Sequence, residues 1–292
     1  LKNLYKKIIV YIFKKIYKTP KIIKQGFKDS TCHEYKLKIG NNNHKVFKLV
    51  GGTIFTDSND TTAFISKNRY LTEASMQYAK FDKINSINKP LKKNETLITG
   101  TPKFKKRFTG NVLSLLSGGA SKDNFTHWFS DVIPRLKIFN SKFNLKIIDK
   151  FYVPSLKYNF QIESLETIGI KKKKIITSDE YKHITADNVF ATSHPCEHVP
   201  TKIKKWSLDF LRKKYLKRKK YFNYSKIFID RDQLKLLDLA NLEKFKNYRV
   251  LLNEKEIKTF LISRGFRIIK PQNYSLLDQV KIFSNAKIIV GL

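Results

Sequence analysis

The chain reads as an α/β protein built from two Rossmann-like domains, the second of them incomplete. Strand and helix patterns alternate as β-α-β-α-β from Lys226 to the end, the signature of a parallel sheet covered by helices. A second, looser alternation runs from Asn111 to Thr192. A hydrophobic fraction of 41% over 292 residues is enough for buried cores despite a net charge of +35. The change of pattern near Phe222 divides the chain into a basic N-terminal segment (residues 1–38), a first domain (39–221) and the start of a second (222–292).

Residues 1–18 hold six uninterrupted apolar residues, Ile8 to Phe13, among many lysines. That run is far short of the ~20 needed to span a bilayer, and it lacks the small-residue exit of a cleavable signal. A basic amphipathic helix on an anionic membrane surface fits the pattern, and so does a helix docked on the core. Val46–Val50 and Thr62–Ser66 read as strands, Asn111–Ser117 as a buried strand, and Gly118-Gly119 as the turn that follows it. Lys150–Val153 is a strand, Phe160–Ile168 a helix, Lys174–Thr177 and Asn188–Thr192 two further strands, and residues 203–221 a basic helix. In the second domain Lys226–Asp230 is a strand. Asn253 and Glu256 form a capping box for a helix that Gly265 terminates. Phe266–Lys270 is a strand stopped by Pro271, Ser275 with Asp278 caps a helix to about Asn285, and Lys287–Gly291 closes the series.

Between Gly119 and Leu136 four reactive or charged side chains gather on one short apolar segment. With Asp123 as N-cap, a helix places Asn124, His127, Asp131 and Arg135 on one face, while Trp128, Phe129, Val132, Ile133 and Leu136 bury. Pro134 cannot donate to the carbonyl of Ser130, so a kink or restart is expected there.

The segment Asn124-x-x-His127-Trp128-x-x-Asp131-x-x-Pro134-Arg135 resembles the signature of glycosyltransferase family 61. A second block matches the same family in order: Arg231, Arg249, Asn253 with Glu254, Gly265 with Phe266, Gln279, and Ala286 with Gly291. The resemblance covers roughly residues 110–292 and implies a GT-B-like architecture, two Rossmann-like domains facing across a cleft. It also implies inverting transfer of a sugar from a nucleotide-sugar donor to a glycan or lipid-linked oligosaccharide acceptor in surface polysaccharide synthesis. His127 is the candidate base, with Asp131 orienting it or acting as the base itself. Arg231 and Arg249 would meet the diphosphate, Glu254 would hold ribose or sugar hydroxyls, and Asn253 and Gln279 would complete the donor side. Asn124, Trp128 and Arg135 are assigned to substrate binding. In the family the final strand leads into a His-Gly-Ala turn, so part of the donor site is expected past Leu292.

Composition bounds the alternatives. Nine of the 59 basic residues are Arg, and lysines scattered through every segment do not build the Arg- and aromatic-rich groove of a nucleic-acid binder. A basic nucleic-acid-binding α/β protein and an inactive scaffold of a polysaccharide assembly complex are the alternatives to an enzyme. Cys32 and Cys196 give no disulfide framework and suit a reducing cytoplasm, with the protein lying peripherally on the inner membrane. His194-Pro-Cys196-Glu-His198 supplies three potential metal ligands without a fourth, and reads as a polar loop after a strand. Asp230-Arg231-Asp232 resembles an Asp-x-Asp element, but neutralisation of the diphosphate by cationic side chains is preferred. No resident cofactor or metal is assigned, the donor being a co-substrate, and a divalent metal stays open.

Overall fold

The computed structural model describes residues 2–18, 21–23, 30–58, 61–80, 86–90, 94–99, 103–116, 124–196, 203–216, 224–230, 251 and 253–291. The chain divides into two compact units, residues 1–211 and 212–292.

The first unit opens with helix α1 (Lys2–Tyr17) and strand β1 (Lys21–Ile23). It continues with β2 (Cys32–Ile39), β3 (Asn42–Val50), β4 (Thr53–Ser58), β5 (Thr61–Ser66), β6 (Arg69–Leu71), β7 (Met76–Lys80) and β8 (Ser86–Pro90). After helix α2 (Glu95–Thr99) and strand β9 (Lys106–Ser114), the expected signature helix begins at α3 (Phe125–His127) and resumes at α4 (Pro134–Asn140). Then come β10 (Lys150–Val153), α5 (Asn159–Thr167), β11 (Ile175–Thr177), β12 (His183–Thr192) and α6 (Lys205–Tyr215), whose last turn carries the division between the units. All the strands of this unit belong to one 12-stranded sheet.

The sheet has a parallel part in the order β12-β9-β10-β11, which is the alternating region expected from Asn111 onward. It is not a plain Rossmann-like sheet, however. On the other edge of β12, β3 and β4 pair antiparallel in succession, Thr192↔Val46 through Asn188↔Val50 and then Thr185↔Thr53 through His183↔Phe55. β2 pairs with β3, and β5 to β8 extend the antiparallel side. Among the antiparallel strands, β3 and β5 contain the runs Val46–Val50 and Thr62–Ser66 expected as strands, whereas β2 escapes such a reading because Lys36 and Lys38 stand exposed between half-buried Tyr35 and Leu37 and buried Ile39. The core below the sheet gathers Phe47, Leu49, Ile54, Val112, Tyr152 and Val189 from both parts.

β12 holds the two parts together, and its pairing with β9 carries a bulge beside a close backbone approach. The register shifts between Ala186 and Asn188, opposite Gly110. Two carboxylates accept the backbone N–H groups exposed there, Asp187 from Gly110 and Asp149 from Asn111, each at 2.8 Å. Gly110 has φ +78°, and a Cβ on it would lie within 2.9 Å of the Asp149 carboxyl carbon.

The second unit is the expected β-α-β-α-β: β13 (Lys226–Ile229), α7 (Glu254–Ser263), β14 (Arg267–Ile269), α8 (Leu276–Asn285) and β15 (Ile288–Val290). The three strands are parallel in the order β14-β13-β15 over a core of Ile227, Ile269 and Ile282. Gly265 has φ +80° at the end of α7, and the Ser275 hydroxyl accepts the Asp278 N–H at the start of α8. The expected capping box does not form. Asn253 occupies the N-cap without a side-chain hydrogen bond, because its backbone (φ −98°, ψ 36°) leaves the extended region from which a capping side chain reaches back.

The crowding at Gly110 yields a paired test. Gly110→Ala should cost about 2–4 kcal/mol in urea unfolding, from a left-handed backbone and a clash with a carboxylate together. Gly40→Ala, at φ +56° with nothing within 4 Å of the added carbon, should cost about 1 kcal/mol. Equal losses would show that Asp149 moves aside at no cost.

Candidate active site

Parallel strands create a crevice where consecutive connections leave in opposite directions. In the first unit β9, β10 and β11 step one way and β12 returns on the other side of β9, so the crevice opens at the carboxyl ends of β9 and β12. The residues delivered there are the segment after β9, carrying His127, Asp131 and Arg135, and the segment after β12, carrying His194 and Cys196.

The signature segment is not one regular helix. Asn124, not Asp123, is the N-cap: its side chain accepts the His127 N–H at 3.1 Å, and Asp123 lies outside the described residues. After a single α-turn the chain widens into a π-turn over Trp128–Val132, with the Ile133 N–H bonded to the Trp128 carbonyl at 3.0 Å, and Pro134 restarts the α-helix. Proline dictates this, since it has no N–H for the Ser130 carbonyl. The two neighbouring carbonyls find partners elsewhere. The Cys196 thiol lies 3.8 Å from Ser130 O, and the Arg135 Nε donates to Asp131 O at 3.0 Å.

Asp131 is fully buried. Its Oδ2 is 2.7 Å from His127 Nδ1, its Oδ1 accepts the Ser130 hydroxyl at 2.8 Å, and His194 Nε2 stands 3.9 Å from Oδ1. Burial alone pushes the Asp131 carboxyl up, but the hydrogen bond from His127, the nearby His194 and the Ser130 hydroxyl outweigh it and hold it below its ordinary value. A carboxylate accepts only, so Nδ1 of His127 carries a proton, and Nε2 is the ring's basic atom. The His127 side chain keeps 19% exposure while Asp131 has none. The pair is therefore a buried anion that orients a partly exposed imidazole, an arrangement able to take a proton from a hydroxyl.

The supporting residues face inward. Arg135 is buried and its Nη1 reaches the Thr192 carbonyl at 2.9 Å and hydroxyl at 3.2 Å, which ties the segment to the end of β12. Burial lowers its guanidinium to about 10, against the pull of Asp131, so it remains charged at neutral pH. Its Nη2 is buried with no hydrogen-bond partner among the described residues. Trp128 is fully buried, its indole N–H donated to Ser164 at 2.8 Å, with Phe125, Phe129 and Phe160 packed behind the turn. Trp128 and Arg135, expected to bind substrate, thus hold the segment in place, and Asn124 spends its side-chain oxygen on the cap. His194 and Cys196, expected in a polar loop, are buried beside Asp131. Burial pushes the Cys196 thiol up to about 12, and it pushes His194 down to about 4 against the attraction of Asp131. Both are neutral at pH 7. His198 lies outside the described residues. His194, Ser130 and Thr192 carried no sequence signal of a shared site, since 60 residues separate them from Asp131 or the chemistry of a serine is too common to mark.

In the second unit the direction reverses at β13, so the crevice there opens between the carboxyl ends of β13 and β15. Asp230, buried at the end of β13, is 2.8 Å from Lys258 Nζ, which also reaches Glu254 at 3.1 Å, while Lys270 stands 3.9 Å from Asp230. Lys258 is the residue the sequence reading missed, although a Glu254–Lys258 pair at i,i+4 was legible. Gln279, expected at the donor, donates instead to the carbonyls of Pro271 at 2.9 Å and Tyr274 at 3.1 Å, so its amide nitrogen fixes the loop before α8. Arg231, Asp232 and Arg249 lie outside the described residues. Among the described residues no three His, Cys, Asp or Glu side chains are grouped to hold a metal ion.

The buried histidines make stability depend on pH. His194 and His183, the latter also lowered to about 4 by burial, bind fewer protons folded than unfolded between about 4 and 6.5. Stability is fully present above pH 6.5 and is lost as pH falls through that window, by up to about 1.4 kcal/mol per pH unit for each ring. Urea titrations at pH 7, 6, 5 and 4.5 should show this slope, and His194→Asn should remove roughly one proton's share of it. An unchanged slope in the variant would mean that His194 titrates normally.

A comparison with protein families matches the model of glycosyltransferase 61 to residues 125–292, from the first residue of α3 to the end of the chain. No curated protein and no solved structure matches. The matched region takes in more than half of the sequence, with both the His127–Asp131 pair and all three strands of the second unit, and the chain belongs to glycosyltransferase family 61.

Proposed function

We propose that this glycosyltransferase transfers a sugar with inversion from a nucleotide-sugar donor to a glycan acceptor, with His127 as the base. The observation that carries the reading is the His127–Asp131 pair at the crevice of the first sheet. Inverting transfer has the acceptor oxygen attack the anomeric carbon as its proton leaves and as the nucleoside diphosphate departs on the opposite face. A buried carboxylate on Nδ1 makes Nε2 more basic and stabilises the imidazolium that forms, so Asp131 acts through His127 and not on the acceptor.

The departing diphosphate needs cationic donors as its charge builds. Arg231 and Arg249 supply planar forks for it, and the bridged Asp230–Lys258–Glu254 cluster holds the start of α7 at the carboxyl end of β13. Two such crevices on two units are the components of a GT-B arrangement, and we assign the donor to the second and the acceptor to the first. A polysaccharide of the cell surface is the acceptor class that the family resemblance favours. α1 presents Leu4, Tyr5, Ile8, Tyr11, Ile12 and Ile16 as an exposed apolar face among lysines, which favours a membrane surface as the place of work. No described helix is long and apolar enough to cross a membrane.

His127→Ala should lower kcat by about 10²–10⁴ and flatten the acid limb of the pH–rate profile with donor affinity unchanged, while Asp131→Asn should lower kcat but keep an acid limb, because the imidazole is still present. Loss of donor affinity in the His127 variant with acceptor binding intact would sink the assignment. For the donor side, Arg231→Lys and Arg249→Lys keep the net charge and lose the fork, so calorimetric affinity for a nucleoside diphosphate should fall about tenfold or more. A random oligonucleotide should bind all three proteins alike. Unchanged diphosphate affinity in both variants would remove the two arginines from the site.

A further inference from the structure

The other end of β12 carries a second cavity. It lies between α1, β4, the β5–β6 turn, α2 and the start of β12, with a volume of about 320 Å³, within the range of small-molecule sites. Eight residues of strand, nine steps along the backbone, lie between His183, which lines it, and Thr192 beside the His127–Asp131 pair. At about 3.3 Å per residue the two places are about 30 Å apart, too far for one bound sugar to touch both.

The lining has two characters. The interior is apolar and aromatic, with Phe13 and Tyr17 of α1 facing Phe55 and Ile65. Around it stand five lysines, Lys14, Lys18, Lys67, Lys103 and Lys105, and no Asp or Glu among the described residues. Burial lowers the Lys105 ammonium below its ordinary value, the expected result of a cation held among apolar groups without an anion. Asn68 also lines one wall, in a turn whose residues Lys67 and Asn68 both have positive φ; its Oδ1 is shut off from solvent with no hydrogen-bond partner among the described residues, and rotation of the amide toward the cavity would give it a ligand donor. A polar atom left so costs about 1–3 kcal/mol unless a donor reaches it.

α1 is two-sided, and that selects the occupant. Its inner side docks through Tyr17, whose hydroxyl accepts the Lys105 N–H at 3.2 Å and whose ring meets His183 at 5.2 Å, and through Phe13 against Phe104 at 5.0 Å. Its outer side is the exposed apolar face. A ligand with an anionic head, a hydroxyl and an apolar tail matches all three features, and such molecules reside in the surface on which that outer face would lie.

We propose that the cavity behind α1 is a binding site for an anionic phospholipid with a hydroxyl-bearing headgroup, separate from the sugar-transfer site. The phosphate meets the lysines, a headgroup hydroxyl donates to Asn68, and the first part of an acyl chain enters between Phe13, Phe55 and Ile65. Occupancy seats α1 on the sheet and couples membrane attachment to the folding of this edge.

The test is calorimetric titration of the 292-residue chain with dihexanoyl-phosphatidylglycerol below its micellar concentration, beside dihexanoyl-phosphatidylcholine, glycerol phosphate and a nucleoside diphosphate. Saturable one-to-one binding of phosphatidylglycerol is expected, about tenfold or more tighter than any of the other three. Lys67→Glu with Lys103→Glu, both on the exposed rim and outside any core, should weaken it about tenfold or more. Lys7→Glu with Lys15→Glu, which alters the charge of α1 away from the cavity, should change it by less than about threefold. Equal loss in the two double variants would reduce the effect to general surface charge. Equal affinity for phosphatidylcholine, equal affinity for glycerol phosphate, or tighter binding of the nucleoside diphosphate would each overturn the lipid assignment.

Discussion

A carboxylate with no exposed surface has to be neutralised by its neighbours, and at Asp131 that requirement organises everything around it. Removing such a group from water costs several kcal/mol, which only close donors and opposite charge return. Each nearby residue follows from this demand. His127 is drawn to Oδ2, Ser130 turns its hydroxyl to Oδ1, and the charge of Arg135 lies within the same buried cluster. The outcome is a histidine fixed in one tautomer and one direction. Orientation of that kind is what a base needs, and a solvated Asp–His pair on a regular helix would not provide it.

The π-turn is the backbone's share of the same arrangement. Pro134 forces the turn to widen, and widening strands two carbonyls in a buried place where an unmet acceptor is costly. Cys196 meets one and Arg135 the other. The cysteine is thus held as a protonated thiol by its surroundings, with its sulfur directed at the backbone and its acidity suppressed by burial and by Asp131. Nothing in this environment makes it a nucleophile.

β12 is the element on which both ends of the first unit depend. It pairs parallel with β9 on one side and antiparallel with β3 and β4 on the other. Its carboxyl end receives Arg135 through Thr192, and its beginning supplies His183 to the cavity behind α1. A strand bonded along both edges is stiff, so the two places keep their separation. The second unit repeats the design on a smaller scale, with the reversal of connection at β13 and a buried carboxylate, Asp230, at its end. There the neutralising partner is a lysine shared with Glu254, which sets the first turn of α7.

By itself the sequence determined what local rules can specify. The β-α-β-α-β order of the second unit was legible because buried parallel strands are continuous apolar runs and because Gly265 and Ser275 stop and start helices by their own chemistry. His127 and Asp131 were legible because four residues of spacing bring two side chains together on any helix. Tertiary structure decided the rest. Of the antiparallel half, β3 and β5 were legible as short apolar runs, whereas β2 was hidden by its exposed lysines, since exposed positions carry no constraint on residue type. Trp128, Arg135 and Gln279 share the family's pattern, and only the fold shows where their polar groups go: Trp128 and Arg135 are buried with their donors on Ser164 and Thr192, and half-buried Gln279 bonds the carbonyls of Pro271 and Tyr274. Above all, His194 and Cys196 joined Asp131 because β12 lies beside β9, a long-range strand pairing that no local pattern encodes.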